Sequence, residues 1–150
     1  MKKKEHYALL LKQVQGLLEG ESDRVANMAN VAAVLHEAFG FWWTGFYLVQ
    51  GRELVLGPFQ GPVACTRIPF GRGVCGTAWQ QGRTVVVPDV EEFPGHIACS
   101  SASRSEIVVP VIKGKDVVAV LDIDSRELAT FDARDAAGLE AIVALLAPLF

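Results

Sequence analysis

The sequence predicts an α+β fold, with a mostly antiparallel sheet, helices packed on one sheet face and a loop-covered pocket on the other. Near both ends of the chain, apolar residues recur at three- and four-residue steps, which is typical of amphipathic helices. Between these ends, short β-branched runs are separated by glycine-containing turns, which is typical of hairpins. Helices at the ends and paired strands between them favour helices packed on an antiparallel sheet.

Two of the predicted helices lie at the start of the chain. The first carries the apolar residues of Tyr7–Leu18 on one face and stops at Gly20. Ser22 is the expected N-cap of the second helix, which ends at Gly40. Two later helices are expected at Val74–Gln81, before Gly82, and at Ala133–Leu146, after the capping residue Asp132.

The predicted strands fall between these helices. Their expected bounds are Trp43–Val49, Glu53–Pro58, Thr84–Val87, Ser105–Ile112 and Asp116–Asp124. Short turns around Gly51 and Gly114 join the first pair and the last pair into hairpins. The run Val117–Leu121 is apolar at every position, so both faces of the last strand should be covered.

A long segment without periodicity, Asp89–Arg104, contains the pair Pro94-Gly95 and is predicted to be a loop. Loops of this length inside a compact domain usually have a function. The short helix and this loop are expected to cover the sheet face that the other helices leave free. A pocket between the loop and the sheet is therefore the natural binding site.

Composition restricts the class of protein. A chain of 150 residues with 51% apolar and 21% charged residues suits one globular domain, expected to span residues 1–150. The sequence contains no apolar run near the roughly 18 residues of a membrane span, and no export signal, so we expect a cytoplasmic protein. The net charge of −3 argues against nucleic acid as the main partner.

The three cysteines, expected to be thiols in a reducing compartment, are the first candidates for chemistry. Cys99 lies in the long loop among turn and polar residues, which predicts partial exposure. It is either a reactive thiol, assisted by nearby His96 or Arg104, or an inert loop residue. Cys75 begins the short helix, where unpaired N–H groups favour a thiolate, but it also fits a small packing position. Cys65 alone is uninformative.

A zinc site is disfavoured by the spacing of the cysteines. They are separated by ten and twenty-four residues, without a Cys-x-x-Cys or His-x₃₋₅-His pair. Uneven spacing around a loop suits a redox cycle better, in which one nucleophilic thiol is followed by a resolving thiol.

Acidic residues near two strand ends are the second group of candidates. Asp122 and Asp124 are two residues apart on one strand and share a face, and Glu106 begins the neighbouring strand. Together they would form a negatively charged floor for an ammonium group, or simply mark strand ends in solvent. Buried carboxylates cost several kcal/mol unless they are paired. The aromatic run Phe41–Trp43 belongs either to the core or to the wall of an apolar pocket.

Several motifs, in order along nearly the whole chain, resemble the GAF-type free methionine-(R)-sulfoxide reductases. They are Gly57–Cys65, Ile68–Gly76, Phe93–Cys99, Ser105–Pro110 and Leu121–Ser125. They include the cysteines at all three family positions. The resemblance implies a GAF-like fold and an enzyme that reduces free methionine (R)-sulfoxide to methionine.

The resemblance also implies roles for the thiols. Cys99 corresponds to the nucleophile, Cys65 to the usual resolving thiol and Cys75 to a resolving or auxiliary thiol. Attack by Cys99 would leave a sulfenic acid, which Cys65 would convert to a disulfide. An external thioredoxin-like dithiol would reduce that disulfide, and no bound cofactor is expected.

For the substrate, the resemblance implies that Glu106, Asp122 and Asp124 bind free methionine sulfoxide and that Trp43 lines the pocket of its methyl group. Because the sulfoxide oxygen must be protonated to leave, Glu106 is also the first candidate for a general acid. Family members pair as dimers, and the apolar first helix offers a surface for a homodimer.

Two rival classes use only part of these features. A small-molecule sensor, of cyclic nucleotides or amino acids, has no use for three thiols around a loop. A general thiol peroxidase or redox sensor would use the cysteines but not the acidic floor. Turnover of free methionine sulfoxide with a dithiol separates all three classes.

Overall fold

The arrangement of helices and strands is taken from a computed structural model that describes residues 1–97, 99 and 102–150. Ala98, Ser100 and Ser101, beside Cys99 in the long loop, lie outside the described residues. Within the described chain the α-helices are α1 (Lys3–Leu18), α2 (Arg24–Phe39), α3 (Gly73–Gln81) and α4 (Ala133–Leu146). The strands are β1 (Trp43–Gln50), β2 (Glu53–Gln60), β3 (Arg67–Pro69), β4 (Val85–Val87), β5 (Ser105–Lys113) and β6 (Asp116–Ser125).

These strands form one sheet in the order β3-β2-β1-β6-β5-β4, and every neighbouring pair is antiparallel. The predicted α+β class is therefore confirmed. Two hairpins, β1–β2 and β5–β6, are joined side by side through the β1–β6 pair. Strand β6 thus lies inside the sheet, with a partner on each edge.

Three local predictions need correction. Asp23 rather than Ser22 caps α2, because its carboxylate accepts a hydrogen bond from the amide of Ala26 at 2.9 Å. The three-residue strand β3 was not predicted, since so short a segment has no measurable alternation. The long loop contains one 3₁₀ turn, Val90–Glu92, which Asp89 starts by accepting a hydrogen bond from the amide of Glu91.

Each sheet face has its own apolar core. Helices α1, α2 and α4 pack on one face, against the inward side chains of Ile107 and Leu121. On the other face, Val108 and Val120 pack with residues of α3. The middle of β6 is therefore covered on both faces, as its uninterrupted apolar run predicted. The short helix and the loop lie opposite the large helices, which confirms the expected position of the pocket.

The apolar face of helix α1 packs against the rest of the chain. Tyr7, Leu10 and Val14 are buried against the core, whereas Leu9 and Leu17 point outward. The homodimer expected from this helix stays a prediction. In the described ranges, no helix has the length and apolar character needed to cross a membrane.

Hydrogen bonds among polar side chains connect α1 to the first turn of α4. The buried carboxylate of Asp135 accepts hydrogen bonds from the Tyr7 hydroxyl at 2.7 Å and from the Lys3 ammonium at 2.6 Å. Asp135 also completes a capping box with Asp132. One turn further along α4, Gly138 leaves the space that the ring of Tyr7 fills.

We expect Gly138→Ala to lower the free energy of unfolding by about 1–3 kcal/mol, through overpacking against Tyr7. A Cβ at this position would lie 2.5 and 2.7 Å from the two δ carbons of that rigid ring. Gly16→Ala is the matched control, since a Cβ there, in α1, meets nothing within 4 Å. The control should raise the free energy of unfolding by about 0.5–1 kcal/mol. Urea denaturation measures both, and equal stabilisation by the two substitutions would contradict this packing.

Candidate active site

The sheet register brings the predicted acidic residues to one place. Asp124 on β6 lies directly opposite Trp43 of β1 on one side and Glu106 of β5 on the other. In the next row on the same face, Asp122 lies opposite Gly45. Since residues opposite each other share a sheet face, all these residues point away from the large helices and towards the loop. The expected acidic floor is therefore present as a geometric feature.

This floor is largely shielded from solvent. The exposed fractions of Glu106 and Asp122 are 5% and 6%, and only Asp124 is partly exposed. The alternative that these acids mark solvated strand ends is thus wrong for the first two. Ser103 donates a hydrogen bond to Asp124 at 3.3 Å, and the Nε2 atom of His96 lies 3.9 Å from a carboxylate oxygen of Glu106.

One oxygen of the floor has no partner. Among buried side-chain nitrogen and oxygen atoms of the described residues, only Oδ1 of Asp122 makes no hydrogen bond. A buried acceptor without a donor carries a desolvation cost of about 1–3 kcal/mol, and more when it is charged. An unpaired carboxylate oxygen that lines a pocket is suited to accept a hydrogen bond from a ligand.

Burial changes the protonation of these groups. It raises the pKa of Asp122, and it raises the pKa values of Glu106 and Asp124 well above the usual range. The charge of Asp122 raises the pKa of both neighbours further. Burial also lowers the pKa of His96, against the opposing charge of Asp122. Burial therefore favours the neutral forms of these carboxyl groups and of the His96 imidazole.

Trp43 belongs both to the core and to the wall of the pocket, so the two alternatives are not exclusive. Its indole nitrogen donates to the carbonyl of Pro62 at 3.0 Å, and its ring stacks between Phe59 and Tyr47. The ring lies over Gly45, where a Cβ would come within 2.6 Å of it. Sequence reasoning missed Gly45 and Tyr47, although a glycine inside a strand signals close approach by another group.

The long loop closes over the floor through a disulfide. Cys99, which is exposed as predicted, is bonded to Cys65, and their Cα atoms are 5.5 Å apart. The hydroxyl of Tyr47 donates to the carbonyl oxygen of Cys65 at 2.8 Å and so fixes the segment that carries it. The structure thus joins the two cysteines that the resemblance implied as nucleophile and resolving thiol.

Cys75 is placed differently from the other two cysteines. It is 4% exposed, in the first turn of α3, and it faces the acidic floor. Burial, and then the negative charges of Asp122, Glu106 and Asp124, raise the pKa of its thiol well above the usual range. These effects outweigh the helix N-terminus, so the packing alternative describes Cys75 better than a reactive thiolate.

We expect native protein with the Cys65–Cys99 disulfide intact to resist alkylation by iodoacetamide at mildly alkaline pH. The thiol of Cys75 is both buried and held in the neutral form, whereas the thiolate is the nucleophile. Mass spectrometry should detect one adduct only after unfolding in guanidinium, which serves as the control. Rapid modification of native, oxidised protein would show that Cys75 is accessible and ionised.

Comparison with known proteins agrees with the geometry. The GAF domain family model matches residues 23–150. GAF domain-containing protein A of Dictyostelium discoideum is 60% identical over 96% of this chain and 92% of its own. The free methionine-R-sulfoxide reductase of Escherichia coli K12 is 47% identical over 97% of this chain and 89% of its own.

Solved structures point the same way. The crystal structure of free methionine-R-sulfoxide reductase from Neisseria meningitidis, in complex with its substrate, superposes with a TM-score of 0.97. It is 56% identical in sequence, and the match covers 100% of this chain and 91% of that one. The same backbone arrangement therefore exists in a protein that has been seen with its substrate bound.

Proposed function

This chain belongs to the GAF domain family and, within it, to the free methionine-R-sulfoxide reductases, and we propose that it reduces free methionine (R)-sulfoxide with Cys99 as the nucleophile. The assignment of the site rests on a set of buried carboxylates. They lie directly under the loop that contains Cys99. A substrate with a free ammonium group would give these buried acids a charged partner beside the thiol.

The ammonium group of the amino acid is the proposed partner of the acidic floor. It brings a positive charge and three donors to Glu106, Asp122 and Asp124, and one of those donors would satisfy Oδ1 of Asp122. The methyl group on the sulfur would lie against the indole of Trp43, which the stacking of Phe59 holds in place. Both ends of the substrate are thus recognised by side chains on the same sheet face.

The redox step balances without a bound cofactor. The Cys99 thiolate attacks the sulfoxide sulfur and forms an S–S bond while the sulfoxide oxygen takes up a proton. The S–S bond and the S–O bond of the substrate then break as the hydroxyl group passes to Cys99. Methionine leaves and Cys99 becomes a sulfenic acid. Glu106 is the proposed proton donor, because burial raises its pKa well above the usual range and so favours the protonated carboxylic acid.

The disulfide of the structure corresponds to the next state of this cycle. Cys65 attacks the sulfenic acid of Cys99, water leaves and the disulfide forms. The geometry supports this pairing, since Tyr47 holds the backbone of Cys65 beside the loop. We propose that a thioredoxin-like dithiol then reduces the exposed bond at Cys99. Cys75 takes an auxiliary role in this scheme, because its thiol is buried.

We propose that residues 1–150 form one catalytic domain of a cytoplasmic enzyme. Helix α1, which precedes the matched family region, shares the core of α4 through Tyr7 and Asp135. A reducing compartment is consistent with a disulfide that must be opened in every turnover.

We expect Cys99→Ser to abolish methionine formation even in a single turnover, because no thiolate reaches the sulfoxide. Cys65→Ser should release about one methionine per chain and then stop, with a sulfenic acid left on Cys99. Rapid-quench chromatography measures methionine, and a dimedone adduct at Cys99 reports the sulfenic acid. Single-turnover activity in Cys99→Ser would overturn the assignment and move the nucleophile to Cys75.

A second prediction concerns the amino group of the substrate. Acetylation of that group removes its charge and leaves the buried carboxylates unpaired, which costs about 1.5–3 kcal/mol for a hydrogen bond to a charged group. The value of kcat/KM for N-acetyl-methionine sulfoxide should therefore fall about 10- to 100-fold.

Asp124→Asn should cause a similar loss with the free substrate, whereas Asp116→Asn, at the exposed far end of β6, should not. Equal rates on both substrates would remove the acidic floor from the mechanism.

A further inference from the structure

The acidic floor and the buried thiol together make a set of metal ligands that no sequence spacing reveals. Sγ of Cys75 and one carboxylate oxygen each of Glu106 and Asp122 all lie within 4.8 Å of one another. The three residues come from α3, β5 and β6, which are far apart along the chain but meet on this sheet face. The spacing of cysteines and histidines carries no information about the carboxyl groups of Glu106 and Asp122.

A second observation points to a ligand at the same place. Oδ1 of Asp122 is buried and has no hydrogen-bond partner among the described residues, and its side chain lines the pocket. A buried carboxylate oxygen without a donor is costly, and a bound cation would offset that cost.

We propose that Cys75, Glu106 and Asp122 form a binding site for a thiophilic divalent cation such as Zn²⁺ or Cd²⁺, and that such a cation blocks the substrate pocket. The inference goes beyond the proposed function, because it depends on the ligand geometry and not on turnover. The redox step proposed above uses no metal.

The donor types decide which cations fit. Zinc accepts sulfur at about 2.3 Å and carboxylate oxygen at about 2.0–2.2 Å, in a tetrahedron whose ligand atoms are about 3.3–3.8 Å apart. Coordination therefore requires the ligand atoms to approach one another by up to about 1 Å from their present separation. Magnesium and calcium prefer all-oxygen sites, so the sulfur of Cys75 selects against them. A water molecule on the pocket side would complete the coordination.

Binding also changes the protonation of the site. A cation of charge +2 displaces the protons of the Cys75 thiol and of the Glu106 carboxyl to solvent, and the resulting thiolate and carboxylate bind the metal together with Asp122. Glu106 and Asp122 then lose their availability for a substrate ammonium. The cation and free methionine sulfoxide should therefore exclude each other from the pocket.

The test uses Cd²⁺ and protein with the Cys65–Cys99 disulfide intact. All three cysteines lie within the described part of the chain, so Cys75 is the remaining thiol in that form. Titration with Cd²⁺ should produce the ultraviolet charge-transfer band of a cadmium thiolate, with a stoichiometry of one ion per chain. Because oxidised protein cannot turn over, this result is independent of whether the proposed reaction is correct.

Variants assign the ligands. Cys75→Ser should abolish the band, and Asp122→Asn should weaken Cd²⁺ binding at least about tenfold while keeping the band at saturation. Asp116→Asn is the matched control on the same strand, exposed and outside the pocket, and should bind as the parent protein does. Circular dichroism checks that each variant is folded. Absence of the band in the parent protein, its persistence in Cys75→Ser, or unchanged affinity in Asp122→Asn would each overturn the proposal.

Discussion

The pairing of β6 with both β1 and β5 is the constraint on which the pocket depends. Antiparallel pairing places Asp124 between Trp43 and Glu106, and a shift by one residue would turn every side chain of β6 to the other face. The apolar residues of the two cores fix this register, since Leu121 must meet the large helices while Val120 meets α3. The same alternation that builds the two cores therefore also collects the acidic groups.

Burial of those groups is costly, and a cation bound by the proposed site would offset that cost. Glu106, Asp122 and the neighbouring thiol of Cys75 share one desolvated space, and burial raises the pKa of each. A protein that used this face for packing alone would gain more from apolar residues of the same volume. In the proposed mechanism, the acids would serve two purposes: negative charge for an ammonium group and a protonated acid for the departing oxygen.

In the wall of the pocket, Gly45 leaves room for the large ring of Trp43. Gly45 has no side chain, so the indole of Trp43 lies along the strand over it and stacks on Phe59. Tyr47, on the same face of β1, then reaches the carbonyl of Cys65. One strand thus supports the apolar wall and also positions one end of the disulfide. This hydrogen bond connects the disulfide to the sheet.

The sequence by itself determined the four helices, the longer strands and the chemical types in the site. Helix α4 was predicted with its observed bounds, because its cap and its apolar spacing are local signals. The shared face of Asp122 and Asp124 followed from the two-residue period of a strand. The family resemblance supplied the roles of Cys99 and Cys65, which periodicity cannot distinguish from inert positions.

Only the tertiary structure decided which of these residues meet, and in what environment. Burial of Glu106, the raised pKa of Cys75 and the unpaired oxygen of Asp122 arise from contacts between elements distant in sequence. Local patterns carry no information about desolvation, because solvent is excluded by residues that the chain brings from elsewhere. For the same reason, spacing argued against a metal site, while the folded sheet and α3 bring a thiol and two carboxyls within 4.8 Å.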